Sequence, residues 1–254
     1  MSKVIAIANQ KGGVGKTTTA INFAASLAHL GQKCLLIDMD PQSNATSGFG
    51  INKSNLEKNI YNVLIDEISL EDILQSAVIA GLDIAPATTD LSGAEINLVN
   101  MADREKKLKS ALEKLQKTYK YIVIDCPPSL GLLTINALVA ADAVLIPMQC
   151  EFFALEGLGQ LSETIFALMQ SYNLDLEGVL FTMFDSRTNL ADQVIEEVKK
   201  FFKEKVYETK IPRTIKLAES PSFGKPILLY DPSGKGAQAY MCFAEEFLSK
   251  QSGE

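Results

Sequence analysis

The run Gln10-Lys11-Gly12-Gly13-Val14-Gly15-Lys16-Thr17-Thr18 combines what a phosphate-binding turn needs. Its glycines let backbone N–H groups turn inward and approach phosphate oxygens without an intervening side chain. Lys16 is spaced to reach the β- and γ-phosphates of a nucleotide, and the Thr17 hydroxyl to ligate Mg²⁺. The pattern G-x-x-x-x-G-K-[ST] is not met, because position 10 is Gln; the loop has instead a lysine at its entrance, Lys11. Two acidic positions complete a hydrolysis site. Asp38 and Asp40 follow the apolar run Leu35-Leu36-Ile37, and Asp125 ends Tyr121-Ile122-Val123-Ile124. The carboxyl ends of strands in an open parallel sheet converge on the ligand crevice, so at least one of Asp38 and Asp40 is expected to face the phosphates. Asp125 suits the outer shell of Mg²⁺, an ion held largely through waters and a few carboxylates.

Such groups need a sheet to present them, and the chain alternates accordingly. Strand-like runs occur at 4–8, 34–37, 82–85, 121–124, 143–147 and 179–183. Their near-continuous apolar character predicts strands buried on both faces, as in a parallel sheet. Helical patterns fall between and after them, at 18–30, 70–77, 104–117, 132–141, 154–172, 190–203 and 237–250. The expected architecture is a doubly wound, mostly parallel α/β fold flanked by helices. No linker-like stretch interrupts the alternation, which predicts one domain over 1–254, with its core at about 3–248. The segment 40–100 is the least regular.

Composition excludes several classes. A hydrophobic share of 47% with 22% charged residues is ordinary for a globular protein. The net charge of −7 gives a field that repels nucleic acid, so any DNA contact must come from a local basic patch. Cys34, Cys126, Cys150 and Cys242 are widely spaced without a C-x-x-C pair, arguing against a zinc site or a disulfide framework. Three of them sit in apolar surroundings and read as small buried residues. No apolar run approaches the roughly 18 residues of a membrane span. The opening Met1-Ser2-Lys3-Val4-Ile5-Ala6 goes straight into a strand, so neither a signal peptide nor an additional N-terminal DNA-binding domain is expected. The lone histidine, His29, offers no catalytic dyad.

The runs 11–18, 38–42 and 125–129 resemble the deviant Walker A ATPases, a group of P-loop NTPases. Within it, Pro147-Met148-Gln149-Cys150-Glu151-Phe152-Phe153-Ala154-Leu155-Glu156-Gly157, Ile211-Pro212-Arg213 and Ser220-Pro221-Ser222 are similar to the ParA/Soj chromosome-partitioning branch. The resemblance covers about residues 3–248. It implies an Mg²⁺-dependent ATP hydrolase that forms a homodimer with ATP. Residues Lys11, Gly12, Gly13, Val14, Gly15, Lys16, Thr17 and Thr18 would hold the phosphates, Thr17 and Asp125 the metal, and the backbone of Pro212 would border the adenine. The resemblance makes Lys11, Lys16 and Asp40 the catalytic residues, Asp40 orienting the attacking water. Lys11 would cross to the partner's nucleotide, where it offsets the repulsion between two facing triphosphates as an arginine finger does in trans.

The branch also implies non-specific double-stranded DNA binding by the ATP dimer, hydrolysis stimulated by a ParB-type centromere-binding protein, and a cytoplasmic, nucleoid-associated location. Arg187 and Lys216 are the candidate DNA contacts, with Lys199, Lys200 and Lys203 extending the patch. Lys216 stands where an arginine is common, and a point charge replaces a rigid fork there. Three rivals have less support. A MinD-like membrane-associated ATPase would want a basic amphipathic C-terminus, whereas Phe243-Ala244-Glu245-Glu246-Phe247-Leu248 is acidic. An iron–sulfur reductase would want glycine-flanked cysteines, and an enzyme activating a small molecule would want a substrate pocket, of which no motif is legible.

Overall fold

The computed structural model describes residues 2–151, 165, 167, 170–187 and 189–252. The first strand, β1 (Lys3–Ile7), shows how the layers arise. Its side chains alternate, so Val4 and Ala6 enter one apolar cluster while Ile5 and Ile7 enter another on the opposite face. The same two-sided burial holds for β2 (Cys34–Asp38), β4 (Leu82–Ala85), β5 (Tyr121–Asp125) and most of β6 (Ala143–Gln149), as their continuous apolar runs predict. With β3 (Gln75–Ser76), β7 (Asp175–Phe184) and β8 (Val206–Pro212) they form one sheet of order β3-β4-β2-β5-β1-β6-β7-β8. Every pairing is parallel except the short β3–β4 edge.

Helices cover both faces. On one lie α1 (Lys16–His29), α8 (Ile215–Glu219), α9 (Ile227–Tyr230) and α10 (Lys235–Ser252), around Phe23, Leu217, Ile227, Phe243 and Phe247. Phe23 meets Phe243 at 4.8 Å and Phe247 edge-on at 5.0 Å between ring centroids, locking α1 to α10. On the other face lie α3 (Ile60–Ile65), α4 (Leu91–Leu98), α5 (Lys107–Glu113), α6 (Leu132–Ala140) and α7 (Asn189–Phe202). A short helix, α2 (Asn44–Gly48), follows β2.

Four expectations change. The run 70–77 folds as a 3₁₀ turn, Leu70–Ile73, followed by edge strand β3; of its apolar set only Leu70 and Ile73 are fully buried. The helix expected over 104–117 is confined to α5, with Leu108 its buried anchor. Strand β8, where polar residues interleave with Val206, Tyr207 and Ile211, was not expected at all. Of the cysteines, Cys34 and Cys126 are buried, Cys150 is half-buried and Cys242 is exposed, so one fewer than expected sits fully in the core. The helix expected at 154–172, and residues 152–157 of the family-like segment, lie largely or wholly outside the described residues.

Candidate nucleotide site

The loop between β1 and α1 owes its shape to two glycines. Gly13 (φ 73) and Gly15 (φ 84) occupy the left-handed region, which side-chain-bearing residues avoid. Gly15 caps α1 without any side-chain hydrogen bond, leaving the first-turn N–H groups of a 14-residue helix pointing out of the sheet edge. Gly12, Gly13, Gly15, Lys16, Thr17 and Thr18 line a cleft of ≈ 320 Å³, together with Asp40, Gln42, Asn44, Pro128 and Met183. Lys16 is buried, and its ammonium donates to the Lys11 carbonyl at 3.1 Å. Burial draws the Lys16 pKa down, while the Asp125 and Asp40 charges oppose that shift.

Sheet register sets the acids. Asp38 of β2 and Asp125 of β5 are paired across the ladder, and Ile7, the last residue of β1, is level with them. Asp38 turns away from the cleft to organise the following loop. Its Oδ2 accepts from the Thr46 N–H (2.8 Å) and hydroxyl (2.7 Å), and its Oδ1 from the Asp40 N–H (3.2 Å). The Thr46 hydroxyl in turn accepts from the Ala87 N–H. That loop presents Asp40, whose own Oδ1 accepts from the Gln42 N–H at 2.9 Å. Of the two carboxylates left open by sequence, Asp40 is therefore the one that lines the cleft.

Asp125 is different. It is fully buried, and neither of its oxygens meets a hydrogen-bond donor in good geometry among the described residues. Burial and then the Asp38 charge push its pKa well above the usual carboxylate range, with the nearby Thr17 hydroxyl opposing the rise. An orphaned buried carboxylate is costly unless a cation completes it. With the Thr17 hydroxyl beside it, the pair fits Mg²⁺. No cluster of three or more acidic, imidazole or thiol groups suited to a metal occurs among the described residues.

A second cavity, ≈ 230 Å³ and mainly apolar, adjoins the first and shares Gly15, Thr18 and Met183 with it. Pro212 lines it with Ile211, Arg213, Leu217 and Tyr240. The site is thus a cleft lined by Lys16, Thr17, Asp40, Gln42 and Asn44 beside an apolar slot, which suits a polyphosphate attached to a flat aromatic base. A larger cavity, ≈ 430 Å³, lies between α3 and α5 around Glu67 and Lys107 and contains none of these groups.

The expected cations are placed unevenly. Lys11 does not line the cleft its own loop forms; its ammonium pairs with Glu151 at 2.6 Å. Arg187 is exposed and forks onto Asp185, through Nε at 2.8 Å and Nη2 at 2.5 Å. Lys216 pairs with Glu219 at 3.1 Å and lies over the Tyr230 ring. Lys199 pairs with Glu208 and Lys200 with Glu197. Lys203 opens a 3₁₀ turn with φ 47. Sequence reasoning missed Glu151, Gln149 and Thr182, which reach the loop from more than 130 residues away in the chain.

Comparison with known proteins shows the family. A family model described as an AAA domain matches residues 2–178. The chain is 57% identical over 248 residues to the sporulation initiation inhibitor protein Soj of Bacillus subtilis, spanning 97% of this chain and 98% of that one. It is 53% identical over 254 residues to the chromosome partitioning protein ParA of Myxococcus xanthus, spanning 99% and 90%. The chain belongs to the ParA/Soj family. Among solved structures, cobyrinic acid a,c-diamide synthase from Mycobacterium smegmatis with bound ATP analog and magnesium superposes with a TM-score of 0.87. It is 38% identical, the match covering all of this chain and 98% of that one. As a ParA/Soj protein the chain has the family's P-loop fold. No described helix is long and apolar enough to cross a membrane. The apolar face of α10 is committed to the core through Tyr240, Phe243, Ala244 and Phe247.

Proposed function

We propose that this chain is a single-domain DNA-partitioning ATPase, a switch that dimerises with ATP, binds DNA non-specifically as the dimer, and hydrolyses ATP when a ParB-type partner stimulates it. ATP and Mg²⁺ are its ligands and the nucleoid its place of action. The observation that supports this best is Lys11. A lysine at the loop entrance whose ammonium lies outside its own cleft, half-exposed and held by a single exposed carboxylate, is available to a neighbouring site. When bound, Mg²⁺ neutralises the phosphate charge. The chain's own groups do the remainder. Backbone N–H groups of the loop and the Lys16 ammonium hold the phosphates, Asp40 fixes the orientation of the water that attacks, and Lys11 enters from the partner subunit.

Arg187 and Lys216 would line up across the dimer, so that each subunit's weak patch adds to the other's. Doubling the phosphates neutralised multiplies affinity, which is how a chain of net charge −7 retains DNA. The test is DNA binding by Asp40→Ala protein with ATP, with ADP and without nucleotide, each sample sized. Binding by an ATP dimer alone is expected. An ATP dimer that ignores DNA at low salt overturns the DNA reading and leaves the nucleotide chemistry in place.

A further inference from the structure

A phosphate loop faces two ways. Every residue whose N–H turns towards the anion must turn its carbonyl somewhere else, and a buried carbonyl needs a donor. Four of the loop's carbonyls have partners among the described residues. That of Lys11 accepts from the Lys16 ammonium, and that of Gly15 from the Thr19 N–H within α1. Those of Gly13 and Val14 depend on side chains from distant strands. The Gln149 amide, at the end of β6, donates to the Gly13 carbonyl at 2.9 Å, and its other direction is the Met183 sulfur at 2.8 Å. The Thr182 hydroxyl, inside β7, donates to the Val14 carbonyl at 2.7 Å, with a longer approach to the Met148 carbonyl at 3.2 Å. Thr182 is 2% exposed and Val14 1%, so no water competes for that bond. The Thr182 side chain also sits 3.7 Å from where a Cβ on Gly15 would be, against the loop's second left-handed turn.

We propose that Thr182, assisted by Gln149, is a positioning residue for the phosphate loop: it holds the Val14 carbonyl backwards so that the loop's N–H groups stay turned to the cleft. This rests on the nucleotide reading given above. The two braces act from strands on the same side of β1, β6 and β7, and so pin the loop from behind while α1 supports it from below. Without the hydroxyl, the Val14 carbonyl keeps its partner only by rotating towards water in the open cleft. That rotation turns neighbouring N–H groups out of the anion's reach, and nucleotide must reverse it on binding. The cost then falls on affinity, while the bound enzyme is reassembled and turns over normally.

Thr182→Val removes the donor with almost no change of shape, and Thr182→Ser restores it. The dissociation constant for MgADP and the KM for ATP are both expected to rise roughly 5- to 50-fold in the valine variant, the effect of an unsatisfied buried carbonyl. The kcat at saturating ATP stays within about 2-fold, and the serine variant returns to near wild-type affinity. Gln149→Leu gives a smaller rise in the same direction. A merely structural role would lower the nucleotide-free melting temperature and kcat with KM unchanged, and that result overturns the proposal. So does a serine variant as impaired as the valine one. Wild-type protein that binds no MgADP overturns the nucleotide reading itself; wild-type binding matched by the valine variant overturns only this inference.

Discussion

Asp38 and Asp125 are register partners at the ends of two adjacent parallel strands, and both are completely buried. Two carboxylates brought level by a ladder cannot both ionise cheaply. Asp38 is pushed up to about 6, chiefly by burial, despite the Thr46 bonds that favour its charged form; Asp125 moves in the same direction. A carboxyl whose folded pKa exceeds its ordinary value of 3.8 binds more protons folded than unfolded. Its stabilising contribution is complete below 3.8 and is lost as pH rises through about 6. Asp125→Asn is therefore expected to raise the melting temperature of nucleotide-free protein at pH 8 by about 3–6 °C, from relief of roughly 1–2 kcal/mol of buried charge. The gain shrinks at pH 4.5, and stabilisation by Mg²⁺ beyond that from nucleotide alone disappears. Equal melting of the two proteins at pH 8 would contradict the charge-crowding account.

Asp40 is the carboxylate that lines the cleft among the described residues. Asp40→Asn keeps the side chain's shape and its contact with the Gln42 N–H. Turnover is expected to fall at least about 100-fold, the usual worth of a positioned acid–base group, with MgADP affinity within about 3-fold of wild type. Single-turnover hydrolysis at the wild-type rate would remove Asp40 from the mechanism.

Glu151 and Lys11 form an exposed pair, their side chains 56% and 37% accessible, of the kind worth less than about 1 kcal/mol. Glu151→Gln should hardly move the melting temperature, by less than about 3 °C. It frees Lys11, and so lowers the ATP concentration for half-maximal dimerisation by roughly 2- to 5-fold. A higher ATP requirement in sedimentation experiments would mean that Glu151 helps the dimer instead.

Arg187 is oriented by Asp185, whose pKa the guanidinium's hydrogen bonds hold down to about 2. Arg187→Glu is expected to weaken DNA retention at least about tenfold. It also flattens the slope of log affinity against log salt by about two units, one phosphate contact per subunit. Asp185→Asn should strengthen DNA binding at the same salt. An unchanged slope in Arg187→Glu would place the DNA surface elsewhere.

The sequence announced those parts of the site that are local. Gly13, Gly15, Lys16 and Thr17 sit within one strand–turn–helix, and Asp40 and Asp125 follow apolar runs whose burial on both faces is written in their composition. What stayed hidden is either edge structure or long-range pairing. Strand β8 sets Glu208, Thr209 and Lys210 between the buried Val206, Tyr207 and Ile211, because its outer side has no further strand. The 70–77 run has helical spacing, yet its chain turns after Ile73 to pair Gln75 and Ser76 with β4. Glu151, Gln149 and Thr182 are ordinary polar residues in their own neighbourhoods; only the β1–β6–β7 order brings them to the loop. Tyr119 and Lys117, which converge on the buried Asp83, were likewise invisible until β4 and β5 were seen two places apart.

The strand order has a further consequence, for a chain still being made. β2 can pair with β4 once residue 85 has emerged, but β1 lies between β5 and β6 and has no neighbour until residues 121–125 appear. At cellular translation rates of about 5–20 residues per second, the strand and loop destined for the nucleotide wait several seconds unpaired. During that interval Val4, Ile5 and Ile7 are as accessible as any unfolded segment, and helix α1, whose partner α10 arrives last, has only β2 and β4 to cover. Long-range parallel pairing of this kind makes folding slow and late. The half-synthesised protein is thus a natural client for chaperones at the ribosome exit, and a messenger cut before codon 121 yields an aggregating fragment rather than a small nucleotide-binding one.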